Sequence, residues 1–148
     1  MDNLLSLQGK HILVTGASSG MGRVLAQMIA SQGGIVALLA RNEERLNKTL
    51  QSLDGTGHQV LVCDLTDEEQ LKAAVSNMEP LDGIVLCAGI NEFVPVKFIK
   101  QEKINKMFQT NYFSQLILLQ MLLKKKLLNK GASVVFISSV SSVMGVQG

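Results

Sequence analysis

The sequence predicts an α/β protein in which helices cover both faces of a parallel, doubly wound sheet. Short, continuous apolar runs alternate with amphipathic stretches of helical length, as is typical of parallel strands buried on both faces. Hydrophobic residues make up 47% of the 148 residues, which is enough for such a core. The segments between the predicted elements are short, and this implies right-handed crossovers within one open sheet.

The individual elements follow from these runs and from their end signals. Gly33 and Gly34 form a stop signal after the first helix. Asn42 and Thr66 are predicted to cap the second and third helices, and Glu69 stands three residues after Thr66, the spacing of a capping box. The predicted strands cover residues 10–15, 35–40, 59–63, 83–87 and 133–138. The predicted helices cover residues 21–32, 43–53, 67–78 and 101–128.

Charge and composition exclude several classes of protein. A formal net charge of +2 gives no sign of a nucleic-acid-binding surface, and no apolar run is long enough to span a membrane. Residues 1–8 carry an acidic residue and no basic cluster, so we expect no signal peptide. Cys63 and Cys87 lie in apolar runs without the spacing of a metal or redox motif. We therefore expect two buried, unpaired thiols, no bound metal and a cytoplasmic location.

The first predicted strand ends in a loop of glycine and small residues, and a helix follows at once. Glycines let the backbone approach a ligand that a Cβ atom would block. The start of the helix offers free N–H groups and a positive dipole end to an anion. This order predicts a phosphate cradle for a dinucleotide, although a tight strand-to-helix turn is the simpler alternative. The cofactor-binding residues predicted here are Thr15, Gly16, Ser18, Ser19, Gly20, Met21 and Gly22.

The ends of the second and third strands bear on which dinucleotide is bound. A site for NAD usually has Asp or Glu after the second strand. Here that position holds Arg41, whose guanidinium can pair with a 2′-phosphate, so we expect NADP(H) rather than NAD(H). The alternative is that Arg41 is a solvated cation beside a helix. Asp64, followed by Leu65, could accept a hydrogen bond from an adenine amino group or shape the turn before the next helix.

These residues together resemble the short-chain dehydrogenase/reductase family, in particular members that are similar to 3-oxoacyl-ACP reductases. The family's T-G-x-x-x-G-x-G is present at residues 15–22, and its Asp after the third strand matches Asp64. Its N-N-A-G segment corresponds to the segment that ends Cys87, Ala88 and Gly89, with Cys in place of the second Asn. We therefore expect these three residues and Leu65 to contact the cofactor as well.

The resemblance also supplies candidate catalytic residues. Ser139 matches the family's Ser, which donates a hydrogen bond to the substrate carbonyl oxygen. Asn111 matches the family's helical Asn, which supports a water-linked proton path. In the family a Tyr exchanges a proton with the same oxygen, and a Lys lowers the pKa of that Tyr. Without the resemblance, Ser139 could belong to a plain loop and Asn111 could be an ordinary polar residue of a helix.

This chemistry needs such a group because hydride transfer to a ketone builds an alkoxide that must be protonated as it forms. The resemblance implies a three-layer Rossmann fold with strand order 3-2-1-4-5 in the part present. It implies a single nucleotide-binding domain over residues 1–148, incomplete at its C-terminal end. The implied activity is NADP(H)-dependent interconversion of a ketone and a secondary alcohol of small-molecule size.

The family pattern breaks near the end of the chain. The Tyr-x-x-x-Lys segment is expected a few residues beyond Gly148, and the one tyrosine, Tyr112, lies in a different element. Residues 143–148 are interpreted as the loop that leads towards that segment. The sequence could be a piece of a longer reductase, a natural short form or the product of a frameshift. A short form would be a catalytically silent module that binds nucleotide.

The long helix predicted at residues 101–128 carries an almost wholly apolar stretch at residues 116–123. A helix that is apolar all round is buried or pairs with a partner. In the family this helix joins subunits, so the resemblance implies a homodimer or homotetramer that forms through it. Burial against the sheet is the alternative.

Overall fold

The computed structural model describes residues 6–140 of the chain. The tail at residues 143–148 and most of the N-terminal segment at residues 1–8 lie outside the described residues. Within them, the strands are β1 (His11–Thr15), β2 (Ile35–Ala40), β3 (Gln59–Val62), β4 (Leu81–Leu86) and β5 (Leu128–Phe136). Parallel pairing joins them in a 5-stranded sheet of order β3-β2-β1-β4-β5, which confirms the predicted class and strand order.

Helices cover the sheet on both faces and give it three layers. Successive side chains of a strand point to opposite faces. Leu13 of β1 accordingly belongs to the core that contains Leu71 and Leu118, whereas its neighbour Val14 belongs to the core that contains Ala26 and Leu46. The helices are α1 (Gly20–Ser31), α2 (Glu43–Leu50), α3 (Glu68–Ser76), α4 (Gln101–Phe108) and α5 (Ser114–Lys124), with a short 3₁₀ helix at Val96–Phe98.

Two of the predicted helix ends are confirmed. Gly33 follows α1 with a φ of +84°, the left-handed conformation that glycine adopts at low cost after a helix. Asn42 caps α2, where its Oδ1 accepts a hydrogen bond from the Arg45 backbone N–H at 2.8 Å. Both signals depend on neighbouring residues alone, which is why the sequence is sufficient to find them.

The predicted cap of α3 is wrong by one residue. Asp67, not Thr66, caps the helix, and its Oδ1 accepts hydrogen bonds from the backbone N–H groups of Glu69 and Gln70. The Thr66 hydroxyl instead donates to Asp64 Oδ1 at 2.7 Å. The Thr66 side chain is therefore used in the turn after β3, and the next residue supplies the cap.

The long helix predicted at residues 101–128 is shorter and less regular than expected. A π turn at Gln109–Phe113 separates α4 from α5, and α5 ends at Lys124. Lys126 then adopts a φ of 56° and reverses the chain. The physical reason is tertiary: Leu128 pairs with Leu81 of the neighbouring strand, so the chain enters the sheet at that residue.

Two strands begin earlier than predicted. Strand β4 starts at Leu81 rather than Gly83, and β5 starts at Leu128 rather than Ser133. Polar residues and a glycine at residues 129–131 resemble a loop in the sequence. These residues belong to β5, an edge strand of the described sheet that is mostly exposed. An exposed edge strand tolerates polar residues and glycine.

Helix α5 is buried on one face only within the described residues. Leu118 and Leu122 are fully buried against the sheet, whereas Leu116, Ile117 and Leu123 are exposed. Burial on the sheet side is thus confirmed, and pairing with a partner through the exposed side stays a prediction. Among residues 6–140, no helix combines the length and apolar character needed to cross a membrane.

The amino ends of three strands are joined by the carboxylate of Asp82. Its Oδ2 accepts a hydrogen bond from the His11 backbone N–H at 3.0 Å, and its Oδ1 accepts one from Asn129 Nδ2 at 3.1 Å. Lys10 Nζ lies 3.6 Å from the same carboxylate. These partners, the His11 N–H first among them, hold the pKa of Asp82 below its usual range.

This lowered pKa predicts a pH-dependent stability. A carboxyl group whose pKa is lower in the folded state stabilises the fold above its unfolded pKa of about 3.9 and loses that effect as pH falls through the folded value. We expect Asp82→Asn to lower the Tm at pH 7, with the gap to the wild type closing below about pH 4. Thermal unfolding from pH 3 to pH 8 measures the gap.

Lys10→Gln is the control for that experiment. It removes the ion pair and leaves the bond from the His11 N–H, so its effect on the Tm should be smaller. If the difference in Tm between Asp82→Asn and the wild type stays constant across the pH range, the ionised carboxylate of Asp82 is not the source of the stability.

Candidate functional site

The loop after β1 is built by close backbone contacts that only glycine allows. A Cβ atom on Gly22 would lie 2.4 Å from the Gly16 carbonyl oxygen, and one on Gly16 would lie 2.9 Å from the Ala88 Cα. Gly16 and Gly20 also have φ values of +68° and +54°. The Ser19 side chain makes no capping hydrogen bond to α1, so the first N–H groups of that helix are left for another acceptor.

The partly buried Arg23 and the buried Thr49 tie this loop to α2. Arg23 Nη2 donates to the Ser18 carbonyl oxygen at 2.6 Å, and Arg23 Nε donates to Thr49 Oγ1 at 3.1 Å. The Thr49 hydroxyl, which is fully buried, lies within hydrogen-bond distance of the carbonyl oxygens of Ala17 and Arg45. Arg23 and Thr49 are not among the residues that line the cavity, so these bonds hold the loop without occupying the cavity.

A cavity of about 740 Å³ opens between the glycine loop and the carboxyl ends of β2, β3 and β4. Every predicted cofactor-binding residue except Thr15 lines it. Thr15 is fully buried beneath the loop. The lining residues are Gly16, Ser18, Ser19, Gly20, Met21, Gly22, Leu39, Ala40, Arg41, Asn42, Arg45, Cys63, Asp64, Leu65, Cys87, Ala88, Gly89, Ile90 and Thr110.

Arg41 and Asp64 meet at one end of the cavity. Arg41 Nη1 lies 3.7 Å from Asp64 Oδ2, and the Arg41 side chain is 64% exposed. The other oxygen of Asp64 accepts hydrogen bonds from the Thr66 backbone N–H and hydroxyl. Asp64 thus shapes the turn after β3, which was one of its two predicted roles. It also faces the cavity, as its second predicted role requires.

Two cysteines lie in the cavity wall. Burial raises the pKa of the Cys63 thiol to about 11, with the neighbouring Asp64 and Asp67 carboxylates adding to the effect, and burial raises the pKa of Cys87. Both thiols are free. Cys63 is buried as expected, whereas Cys87 is only partly buried, because it faces the cavity. Thiols in this state are poor nucleophiles.

Beneath the glycine loop, Thr15 and Gln115 join β1, β4 and α5. Thr15 Oγ1 accepts hydrogen bonds from the backbone N–H groups of Cys87 and Ala88, both at 2.9 Å, and donates to Gln115 Oε1 at 3.1 Å. Gln115 Nε2 donates to the Ala88 carbonyl oxygen at 2.8 Å. Thr15 therefore stabilises the loops that line the cavity rather than lining it.

The two candidate catalytic residues lie outside the cavity lining. Asn111 is in the π turn, and its side-chain amide bonds both the N–H and the carbonyl of Ile90 at 2.8 Å. Ser139 follows the end of β5 by three residues and is exposed. Tyr112 is 51% exposed and lies edge-to-face with Phe113.

Several residues of the site were not predicted from the sequence. Arg45 lines the cavity from the first turn of α2, four residues after Arg41 along the chain. Arg23, Thr49 and Gln115 act through contacts with residues far away in the chain, and no local pattern marks them.

The fold and the cavity define a class of protein, the Rossmann-type nucleotide-binding proteins. The chain belongs to one family within that class. A family model described as "short chain dehydrogenase" matches residues 10–148, which confirms the resemblance seen in the sequence.

Individual relatives agree with this assignment. The chain is 30% identical over 145 residues to the 3-oxoacyl-(acyl-carrier-protein) reductase FabG of Rickettsia conorii, with 98% of this chain and 60% of that protein covered. It is 28% identical over 155 residues to the 3-ketodihydrosphingosine reductase of Mus musculus, with 97% and 47% covered. The chain thus spans 60% and 47% of the lengths of these two relatives.

Solved structures show the same fold. A short-chain type dehydrogenase/reductase from Mycobacterium marinum matches with a TM-score of 0.84 and 26% identity, over 95% of this chain and 58% of that one. The L-sorbose reductase from Gluconobacter frateurii, complexed with NADPH and L-sorbose, matches with a TM-score of 0.75 and 25% identity, over 81% and 48%.

The close contact at Gly22 makes a direct prediction. Gly22→Ala places a methyl group against the Gly16 carbonyl, so we expect a loss of about 1–3 kcal/mol in stability and at least ~10-fold weaker nucleotide binding. Gly83→Ala is the matched control, since its Cβ would meet only ordinary contacts, the nearest at 3.6 Å. Chemical denaturation and NADPH titration measure both effects. Equal stability and equal nucleotide binding of the two variants would contradict the close contact assigned to Gly22.

Proposed function

We propose that this chain is the nucleotide-binding part of an NADP(H)-dependent oxidoreductase that interconverts a ketone and a secondary alcohol. The observation that carries the proposal is the cavity, which joins the glycine loop to two arginines, Arg41 and Arg45. The loop suits a pyrophosphate, because its glycines leave no Cβ in the cradle and α1 offers free N–H groups. The arginines suit the extra phosphate of NADP(H).

The proposed placement of the cofactor follows from the strand order. Arg41 and Asp64 lie beyond β2 and β3, on one side of β1, and this side would hold the adenosine half with its 2′-phosphate. Cys87, Ala88 and Gly89 lie beyond β4, on the other side, which would hold the nicotinamide half. When bound, the nicotinamide supplies or accepts the hydride.

The proposed roles of the catalytic residues begin with the carbonyl oxygen of the substrate. The Ser139 hydroxyl would donate a hydrogen bond to that oxygen and stabilise the charge that develops on it. Asn111 would support the proton path, and its amide fixes the loop after β4 through both backbone groups of Ile90. The names of two relatives, a 3-oxoacyl reductase and a carbonyl reductase family member from Danio rerio, support a small carbonyl substrate.

We further propose that residues 1–148 fold as one nucleotide-binding domain, which forms a homodimer or homotetramer through the helical segment 101–128. The exposed apolar side chains of Phe108, Leu116, Ile117 and Leu123 support a partner on this surface. We propose a reducing, cytoplasmic location because Cys63 and Cys87 are free thiols. The net charge of +2 supports a role without nucleic acid.

A second candidate function is a catalytically silent module that binds NADP(H). The observation that favours it is the position of Tyr112, the one tyrosine in the sequence. Its ring lies beside Phe113 on the helical segment, and it is not one of the residues that line the cavity.

The two functions differ in turnover. We expect the purified 148-residue chain to bind NADPH and to reduce no ketone, because the sequence supplies no tyrosine at the cavity to protonate the alkoxide. NADPH oxidation with acetoacetyl thioester or a small cyclic ketone measures turnover, and fluorescence titration measures binding in the same samples. Turnover by the chain alone would contradict the need for a further tyrosine. A longer form with a Tyr-x-x-x-Lys segment should restore turnover if the oxidoreductase proposal holds.

The choice of NADP(H) is tested at Arg41. We expect Arg41→Asp to weaken NADPH binding ~10- to 100-fold and to change NADH binding little, because only NADPH brings a 2′-phosphate to a carboxylate there. Lys48→Asp carries the same charge change on α2, where Lys48 pairs with Glu44 on the surface, and serves as the control. Equal losses for NADPH and NADH would remove Arg41 from the phosphate site.

A further inference from the structure

Gln115 is a buried amide whose nitrogen and oxygen are both engaged where β1, β4 and the π turn meet. It is 2% exposed. Its Oε1 accepts a hydrogen bond from the Thr15 hydroxyl, and its Nε2 donates to the carbonyl oxygens of Ala88 at 2.8 Å and of Asn111 at 2.9 Å. A buried amide with both N–H groups and its oxygen paired is held firmly, since any unpaired group would carry a desolvation cost.

The same network orients the backbone at the end of β4. The N–H groups of Cys87 and Ala88 point inward to Thr15 Oγ1, and the Ala88 carbonyl points inward to Gln115. Cys87 and Ala88 also line the cavity. These three polar groups are therefore turned away from the cavity, and Gln115 determines the wall that a ligand would meet there.

The other end of the network stabilises the π turn. The Ser114 backbone N–H bonds the Gln109 carbonyl, five residues back, and the Ser114 hydroxyl bonds the Thr110 carbonyl at 3.0 Å. Gln115 Nε2 bonds the next carbonyl, that of Asn111. Two consecutive buried side chains thus bond carbonyl groups within an irregular turn. Such turns are rare in proteins as a whole, but those that occur are often found at functional sites.

We propose that Gln115 is a positioning residue that fixes the nicotinamide side of the cavity relative to Asn111. This inference rests on the proposed function, which places the nicotinamide half of NADP(H) beyond β4. One rigid amide bonds both the Ala88 backbone and the Asn111 backbone, so neither can shift without the other. The adenosine side, beyond β2 and β3, has no hydrogen bond to Gln115 among the described residues.

The test compares NADPH, which has both halves, with adenosine 2′,5′-bisphosphate, which lacks the nicotinamide half. Gln115→Met keeps the size of the side chain and removes its hydrogen bonds. We expect it to weaken NADPH binding ~10-fold and to leave binding of adenosine 2′,5′-bisphosphate within ~2-fold of the wild type. Gln51→Met, at an exposed position after α2 and outside the helical segment 101–128, is the control and should change neither. Equal weakening of both ligands by Gln115→Met, or of neither, overturns the proposal.

Amide hydrogen exchange gives a second readout that needs no activity. In Gln115→Met we expect faster exchange at Ile90, whose N–H is held by Asn111, and at Cys87 and Ala88, with β2 unchanged. Unchanged exchange at all three amides overturns the proposal. If the variant does not fold, amide hydrogen exchange is measured instead in the wild-type chain, with and without each ligand. NADPH, but not the bisphosphate, should then slow exchange at Ile90, and no slowing overturns the proposal.

The two proposals fail in different ways. A wild-type chain that binds neither NADPH nor the bisphosphate contradicts the proposed function, and exchange at Ile90 in Gln115→Met still tests the role of Gln115. A wild-type chain that binds both, with a variant that behaves like it, contradicts the role of Gln115 alone.

Discussion

The carboxyl edge of the sheet depends on the close approach of three backbone segments around Gly16. Any side chain on Gly22 would strike the Gly16 carbonyl, and any side chain on Gly16 would strike the backbone of Ala88. Because no side chain stands between them, β1, α1 and the end of β4 meet at backbone distance. The Thr15 hydroxyl can then reach the N–H groups of Cys87 and Ala88.

Two largely buried side-chain networks, whose members Thr15, Thr49 and Gln115 are buried and whose Arg23 is partly buried, lie on either side of this contact. On the α2 side, Arg23 and Thr49 bond the carbonyl groups of the glycine loop. On the β4 side, Thr15 and Gln115 bond the backbone that faces the cavity. Each network satisfies polar groups that would otherwise be buried unpaired, so each fixes its loop in one conformation. The cavity is therefore shaped before any ligand arrives, and this preorganisation lowers the cost of binding.

Much of the fold and part of the site could be predicted because their signals are local. The end of α1 at Gly33 and the cap of α2 at Asn42 depend on residues within one turn of chain. The start of β5 at Leu128 could not be predicted, because pairing with Leu81 admits polar residues that alone favour a loop. The cap of α3 was misplaced because Thr66 bonds Asp64 instead. Arg45, which lines the cavity from the first turn of α2, was not predicted there.

The sequence by itself determined the parallel α/β class, the strand order through its family resemblance, and the glycine loop with most of the residues that line the cavity. These features depend on hydrophobic periodicity and on short motifs. Only the tertiary structure decided that Thr15 lies beneath the loop, that the helix with Asn111 contains a π turn, and that Gln115 joins this turn to β4. The reason is that these contacts join residues up to 100 positions apart, whose distances are set by the packing of the sheet.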